Sequence, residues 1–147
     1  LGNICRSPLA EAALRQVAAR DGMKLRIDSA GTGDWHVGNP PDHRAQEVAK
    51  RLGDIDISNL RARQFAVEDF FAFDHILAMD EVNLADLRAM MPSDATASLS
   101  LLLDHLPGHE GTAVADPYYG DAAGFETTWR QVSAAAQAFA KSLSQNR

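Results

Sequence analysis

With 147 residues, 46% of them apolar and 23% charged, the chain has the size and composition of one ordinary globular domain around a single hydrophobic core. A formal net charge of −6 excludes a surface built to neutralise nucleic-acid phosphates, so any phosphate site must be local. The single cysteine, Cys5, excludes an internal disulfide and a multi-cysteine zinc site, and the longest apolar run, over 99–103, is far too short to span a bilayer; a cytoplasmic protein is expected.

Ser7-Pro8 ahead of LAEAALRQVAAR supplies an N-cap serine and a proline at the first helical position, which predicts a helix over 8–20. Residues 25–30 read as a short strand broken by Gly31-Thr32-Gly33, and a loop follows through Trp35 to Pro41. A second amphipathic helix is expected over 42–52, with Gly53 as its C-terminal cap, and a shorter one over 67–71. The pattern then predicts an apolar strand over 75–79 ending at Asp80, a helix over 81–90 and a last short strand over 112–115. Residues 122–143 form a closing helix with Phe125, Trp129, Val132, Ala136 and Phe139 on one stripe. Strands alternating with helices imply an α/β fold with a parallel sheet covered on both faces.

Ligands of such a sheet sit at the carboxyl ends of its strands, beside helix N-termini. The segment 1–7 leads straight into a helix whose unpaired N–H groups and positive dipole end face the loop, so an anion is expected there. Gly2 permits a tight bend, Asn3 tolerates a left-handed conformation, and Arg6 offers a planar fork matched to two phosphate oxygens. The nucleotide-binding pattern G-x-x-x-x-G-K-[ST] is absent, and Gly31-Thr32-Gly33 lacks the third glycine of a dinucleotide fingerprint, His36 standing in its place. Taken alone, Asp116-Pro117 is an ordinary turn, and Cys5 is as well explained by packing as by chemistry. His105 and His109 have the spacing of helical metal ligands, but Pro107-Gly108 breaks any helix between them, so no metal site is expected.

The octapeptide L-G-N-I-C-R-S-P resembles the signature loop of the low-molecular-weight protein tyrosine phosphatases, and D-P-Y-Y-G from Asp116 to Gly120 is similar to that family's general-acid loop. D-S-A-G-T over 28–32, D-W-H-V-G-N-P-P-D over 34–42, R-A-R-Q over 61–64 and I-L-A-M-D over 76–80 also match in family order, so the resemblance covers almost the whole chain. It implies a single domain over 1–147, a three-layer sandwich with a short, mainly parallel four-stranded sheet. The implied activity is hydrolysis of protein phosphotyrosine or aryl phosphates through a cysteinyl-phosphate intermediate, without metal or cofactor. Phosphate or another oxyanion would occupy the loop, with neither nucleic acid nor membrane as a partner.

Carried over residue by residue, the resemblance gives Arg6 to the phosphate, with the backbone of Leu1, Gly2, Asn3, Ile4 and Cys5 around it. Asp116 becomes the general acid and base, Ser7 donates to the sulfur, and Ser29 supports the loop together with Asn3. Trp35, Tyr118 and Tyr119 line an aromatic cleft, while Leu60 stands where many members carry a histidine that supports the loop asparagine. The family's C-x5-R spacing places the nucleophilic cysteine immediately before Leu1, preceded by an apolar strand inside the sheet. Residues 1–147 are therefore expected to be N-terminally incomplete and to bind an oxyanion without turning it over. Cys5 falls at the family's second, redox-partner cysteine. A phosphoarginine phosphatase usually has threonine where Ile4 stands and lacks the paired tyrosines, and arsenate reduction needs further cysteines. A non-catalytic phosphate or phosphopeptide binder would have no use for Asp116.

Overall fold

The computed structural model describes residues 4–34, 36–118 and 121–145. Helix α1 (Arg6–Arg20) begins two residues ahead of the expected start, with Cys5, not Ser7, at the N-cap and no side-chain capping bond. Pro8 fits inside the first turn because N–H groups there have no intrahelical acceptor to lose. Helix α2 (His43–Gly53) is capped by Asp42, whose carboxylate accepts from the Arg44 amide at 2.8 Å. Its left-handed terminal residue is Asp54 (φ 53°, ψ 41°) rather than Gly53. Gly53 meets a different demand, since a methyl group there would come within 2.8 Å of Cη2 of Trp129.

After the single turn α3 (Asp69–Ala72), strand β1 (His75–Ala78) pairs in parallel with β2 (Ser98–Leu101), His75 opposite Ser98 and Ala78 opposite Leu101. The crossover between them carries α4 (Glu81–Met90), capped by Asp80, which accepts from the Asn83 amide at 2.7 Å. A 3-10 turn (Leu102–His105) follows β2, and α5 (Ala122–Gln145) closes the chain.

Two expected strands do not join a ladder among the described residues. Residues 25–30 and β1 line a cavity of about 330 Å³, and Gly31 bridges, in parallel, to Gln64. Residues 112–115 run beyond the end of β1 and touch its line once, where the Val114 N–H donates to the Met79 carbonyl at 2.8 Å. The described sheet is thus a two-stranded parallel ladder with helices around it, an α/β arrangement as expected, with fewer paired strands.

Two apolar clusters fix this frame. Leu9, Ala13 and Val17 of α1 share one core with Val48 of α2 and with Phe125, Trp129, Val132 and Ala136 of α5. Phe70, Ile76, Leu84, Leu87 and Leu101 form the second, around β1, α4 and β2. Each large side chain so buried contributes about 1.5–3 kcal/mol relative to exposure. Together they hold the head of α1 against the carboxyl end of β1. Among the described residues no helix is long and apolar enough to cross a membrane.

Candidate active site

The carboxyl end of β1 is where the head of α1, the cap of α4 and the segment 114–118 meet. Arg6, the first residue of α1, is only 5% exposed, and burying its charge without a partner would cost several kcal/mol. Nη2 therefore pairs with the Asp80 carboxylate at 2.9 Å, and Nη1 donates to the Val114 carbonyl at 3.0 Å. Both partners are placed by β1, Asp80 because it follows the strand and Val114 through its bond to Met79. Burial works to raise the Asp80 pKa, but the Asn83 amide and the Arg6 guanidinium outweigh it and hold the carboxyl below the usual carboxylate range.

The same Nη2 lies 4.0 Å from Oδ2 of Asp116, whose side chain is 53% exposed. The Tyr118 N–H donates to Oδ1 of Asp116 at 3.1 Å, orienting the carboxylate. Thr128 of α5 donates to the Ala115 carbonyl at 3.0 Å, and the Ala115 N–H donates to Gln131 at 3.1 Å, so the segment before Asp116 is tied down on both edges. A buried cation at a helix head thus faces a half-exposed carboxylate. That pairing suits a tetrahedral anion with a proton donor above it.

Cys5 is buried within the α1–α5 core, and its thiol is pushed up to about 12, chiefly by burial and then by the charges of Asp42 and Asp116. Burial of this kind favours the protonated thiol at neutral pH. The Ile4 carbonyl accepts from the Asp42 N–H at 2.8 Å, which joins the loop to the cap of α2. Ser7 follows Arg6 in the first turn of α1 and borders the 330 Å³ cavity, which is not lined by Arg6, Asp80 or Asp116. Ser29 donates to the buried Glu11 at 2.6 Å, and Glu11 also accepts from Arg15 at 2.9 Å, so Ser29 is fastened to α1 near its head. The Tyr118 ring lies 6.4 Å from that of His36, centroid to centroid. Leu1, Gly2, Asn3, Trp35 and Tyr119 lie outside the described residues.

His105 is turned toward Ser100, with Nε2 at 2.8 Å from Oγ, and edge-on to Phe139. Sequence reasoning passed over two residues that the fold brings to this site, Asp80 and Asp42. For Asp80 a signal existed, because an acidic residue at the carboxyl end of a strand in a parallel sheet stands where ligands bind.

The sequence profile for low molecular weight phosphotyrosine protein phosphatases matches residues 1–147. The chain is 46% identical over 121 residues to the low molecular weight protein-tyrosine-phosphatase YfkJ of Bacillus subtilis, covering 81% of this chain and 77% of that protein. The crystal structure of a protein tyrosine phosphatase from Entamoeba histolytica superposes with a TM-score of 0.92 at 33% identity, over 99% of this chain and 94% of that one. A Drosophila arginine phosphatase superposes with a TM-score of 0.90 at 32% identity, over 97% and 93%.

Proposed function

Since the chain belongs to the low-molecular-weight phosphotyrosine protein phosphatase family, a family of metal-independent hydrolases, we propose that its substrate is protein phosphotyrosine, bound at Arg6 and protonated by Asp116. The observation that supports this most directly is the approach of the Arg6 guanidinium to the Asp116 carboxylate, 4.0 Å apart at the head of α1.

In this reading the dianion lies on Arg6 and on the loop amides from Leu1 to Ser7, with the helix dipole behind it. A cysteine thiolate at the position preceding Leu1 attacks phosphorus; the S–P bond forms as the P–O bond to the aryl group breaks. The Asp116 carboxyl gives its proton to the departing phenolate. Water then attacks phosphorus, Asp116 takes the proton back, and the S–P bond breaks to release phosphate and thiolate. Ser7 donates to the leaving sulfur, and Ser29 with Asn3 supports the loop. Tyr118, with Trp35 and Tyr119, forms the wall for the phenyl ring. Residues 1–147 by themselves hold the anion site and the proton donor, while the protonated, buried Cys5 supplies no nucleophile. They are expected to bind oxyanions without turnover.

Ile4 and the Tyr118-Tyr119 pair favour an aryl ester over phosphoarginine, the substrate class named for the Drosophila neighbour. The test is hydrolysis of p-nitrophenyl phosphate, a phosphotyrosine peptide and a phosphoarginine peptide, in EDTA, by residues 1–147 and by a chain extended upstream through that cysteine. Turnover of the first two by the extended chain alone is expected. There Asp116→Asn should lower the rate on poor leaving groups about a hundredfold. Loss of activity to the chelator, or an unchanged rate in Asp116→Asn, would remove the mechanism. Anion binding by both chains with turnover by neither would establish a binding module instead.

A further inference from the structure

Two loops must be held in register for the chemistry above, one for the phosphate and one for the proton donor. The structure joins them through Asp42, the cap of α2, and Arg44, in its first turn. The Asp42 N–H donates to the Ile4 carbonyl at 2.8 Å, on the phosphate side. The Asp42 carboxylate grips the Arg44 guanidinium at both oxygens, Nε to Oδ1 and Nη2 to Oδ2, each at 3.0 Å. Arg44 Nη2 then donates to the Tyr118 carbonyl at 2.8 Å, and the Tyr118 N–H donates to Asp116. The guanidinium carbon also lies over the rings of Phe125, at 4.7 Å, and Tyr118, at 5.8 Å.

From this unbroken relay, Ile4 to Asp42 to Arg44 to Tyr118 to Asp116, we infer that Arg44 is a positioning residue that fixes the aryl wall and the proton donor above the phosphate pocket. The inference rests on the phosphatase reading. Arg44 touches neither the phosphate nor the leaving group; it acts on Tyr118, and through the Tyr118 amide on Asp116. Its planar fork is what allows carboxylate and carbonyl to be held together, with one face left to stack on Phe125. The phosphate side does not depend on it in the same way. Asp42 bonds Ile4 through its own backbone, and its carboxylate would still cap α2 through the amide of residue 44.

That asymmetry defines the experiment. Binding of inorganic phosphate and of benzylphosphonate to the 147-residue chain is measured by calorimetry, for wild type, Arg44→Gln and Arg44→Lys, with circular dichroism to verify the fold. Phosphate reads the cradle alone, whereas benzylphosphonate also reads the ring wall. Arg44→Gln should weaken benzylphosphonate about tenfold, the value of one lost charge-assisted hydrogen bond, and phosphate less than about twofold. Arg44→Lys keeps the charge without the fork and should show the same selective loss, about threefold. Equal weakening of both ligands, or unchanged benzylphosphonate binding in both variants, would overturn the inference. Wild type that bound neither ligand would overturn the phosphatase reading itself, and the inference with it.

Discussion

Replacing Asp80 by alanine removes two interactions at once, and replacing it by asparagine removes mainly one. The carboxylate caps α4 through the Asn83 amide and neutralises the buried Arg6 guanidinium at 2.9 Å. Loss of an N-cap costs about 1 kcal/mol, and asparagine is nearly as good a cap as aspartate. Leaving a fully buried charge without its counter-ion costs about 3–5 kcal/mol. Asp80 is 23% exposed, so water can soften the loss and about 2–3 kcal/mol is the better expectation. Asp80→Asn should therefore destabilise by about 2–3 kcal/mol at neutral pH, and Asp80→Ala by about 1 kcal/mol more. The folded carboxyl titrates below its ordinary value of 3.8, so on acidification the unfolded chain takes up the proton first. The stabilisation is then fully present above roughly pH 4 to 5 and is lost as pH falls through the lowered folded value. Urea unfolding followed by tryptophan fluorescence, at about pH 7 and again near pH 3.5, should show wild type and Asp80→Asn far apart in the first case and measurably closer, though not yet equal, in the second. A gap between them that did not change with pH would refute the ion-pair account of Arg6.

Gly53→Ala should destabilise by about 1–3 kcal/mol despite alanine's better helix propensity, because the added methyl meets the Trp129 indole; the urea midpoint reads this directly. His105 has its pKa lowered, mainly by burial and further by His75, against the opposing charge of Asp104. The neutral ring is thus favoured in the fold, and its contribution is complete above the unfolded value near 6.5 and declines as pH falls through the lowered folded one. Wild type should lose more stability than His105→Asn between about pH 7.5 and 5.5, and equal losses would contradict this.

The longer helices are legible from their apolar residues at helical spacing, and two of them from boundary signals as well, Asp42 for α2 and Asp80 for α4. Strands were less so, since a strand exists only with a partner. Residues 25–30 have the composition of one and line the 330 Å³ cavity with β1 without joining a ladder among the described residues, whereas Ser-Leu-Ser-Leu over 98–101, which has no marked strand signal, pairs along its whole length. Gly53 was misassigned for a related reason. A glycine near a helix end usually serves the backbone, and only the fold reveals that Trp129 claims the space above this one. Arg6 and Asp116 are singled out by motif chemistry, and the fold brings them within 4.0 Å of each other. The pairing of Asp80 with Arg6 and the bond from Arg44 to the Tyr118 carbonyl carry no such motif, because each joins residues far apart in sequence.

Helices α1 and α5, about a hundred residues apart in sequence, share one core. A ribosome adding about 5–20 residues per second leaves the apolar face of α1 without its cover for roughly 6–25 seconds while the chain grows toward α5. Over most of that interval Arg6 has not yet met the segment carrying Val114 and Asp116. A nascent chain of this kind cannot assemble its pocket piecemeal as it emerges, and chaperone occupancy on stalled intermediates should fall sharply only when α5 has cleared the exit tunnel.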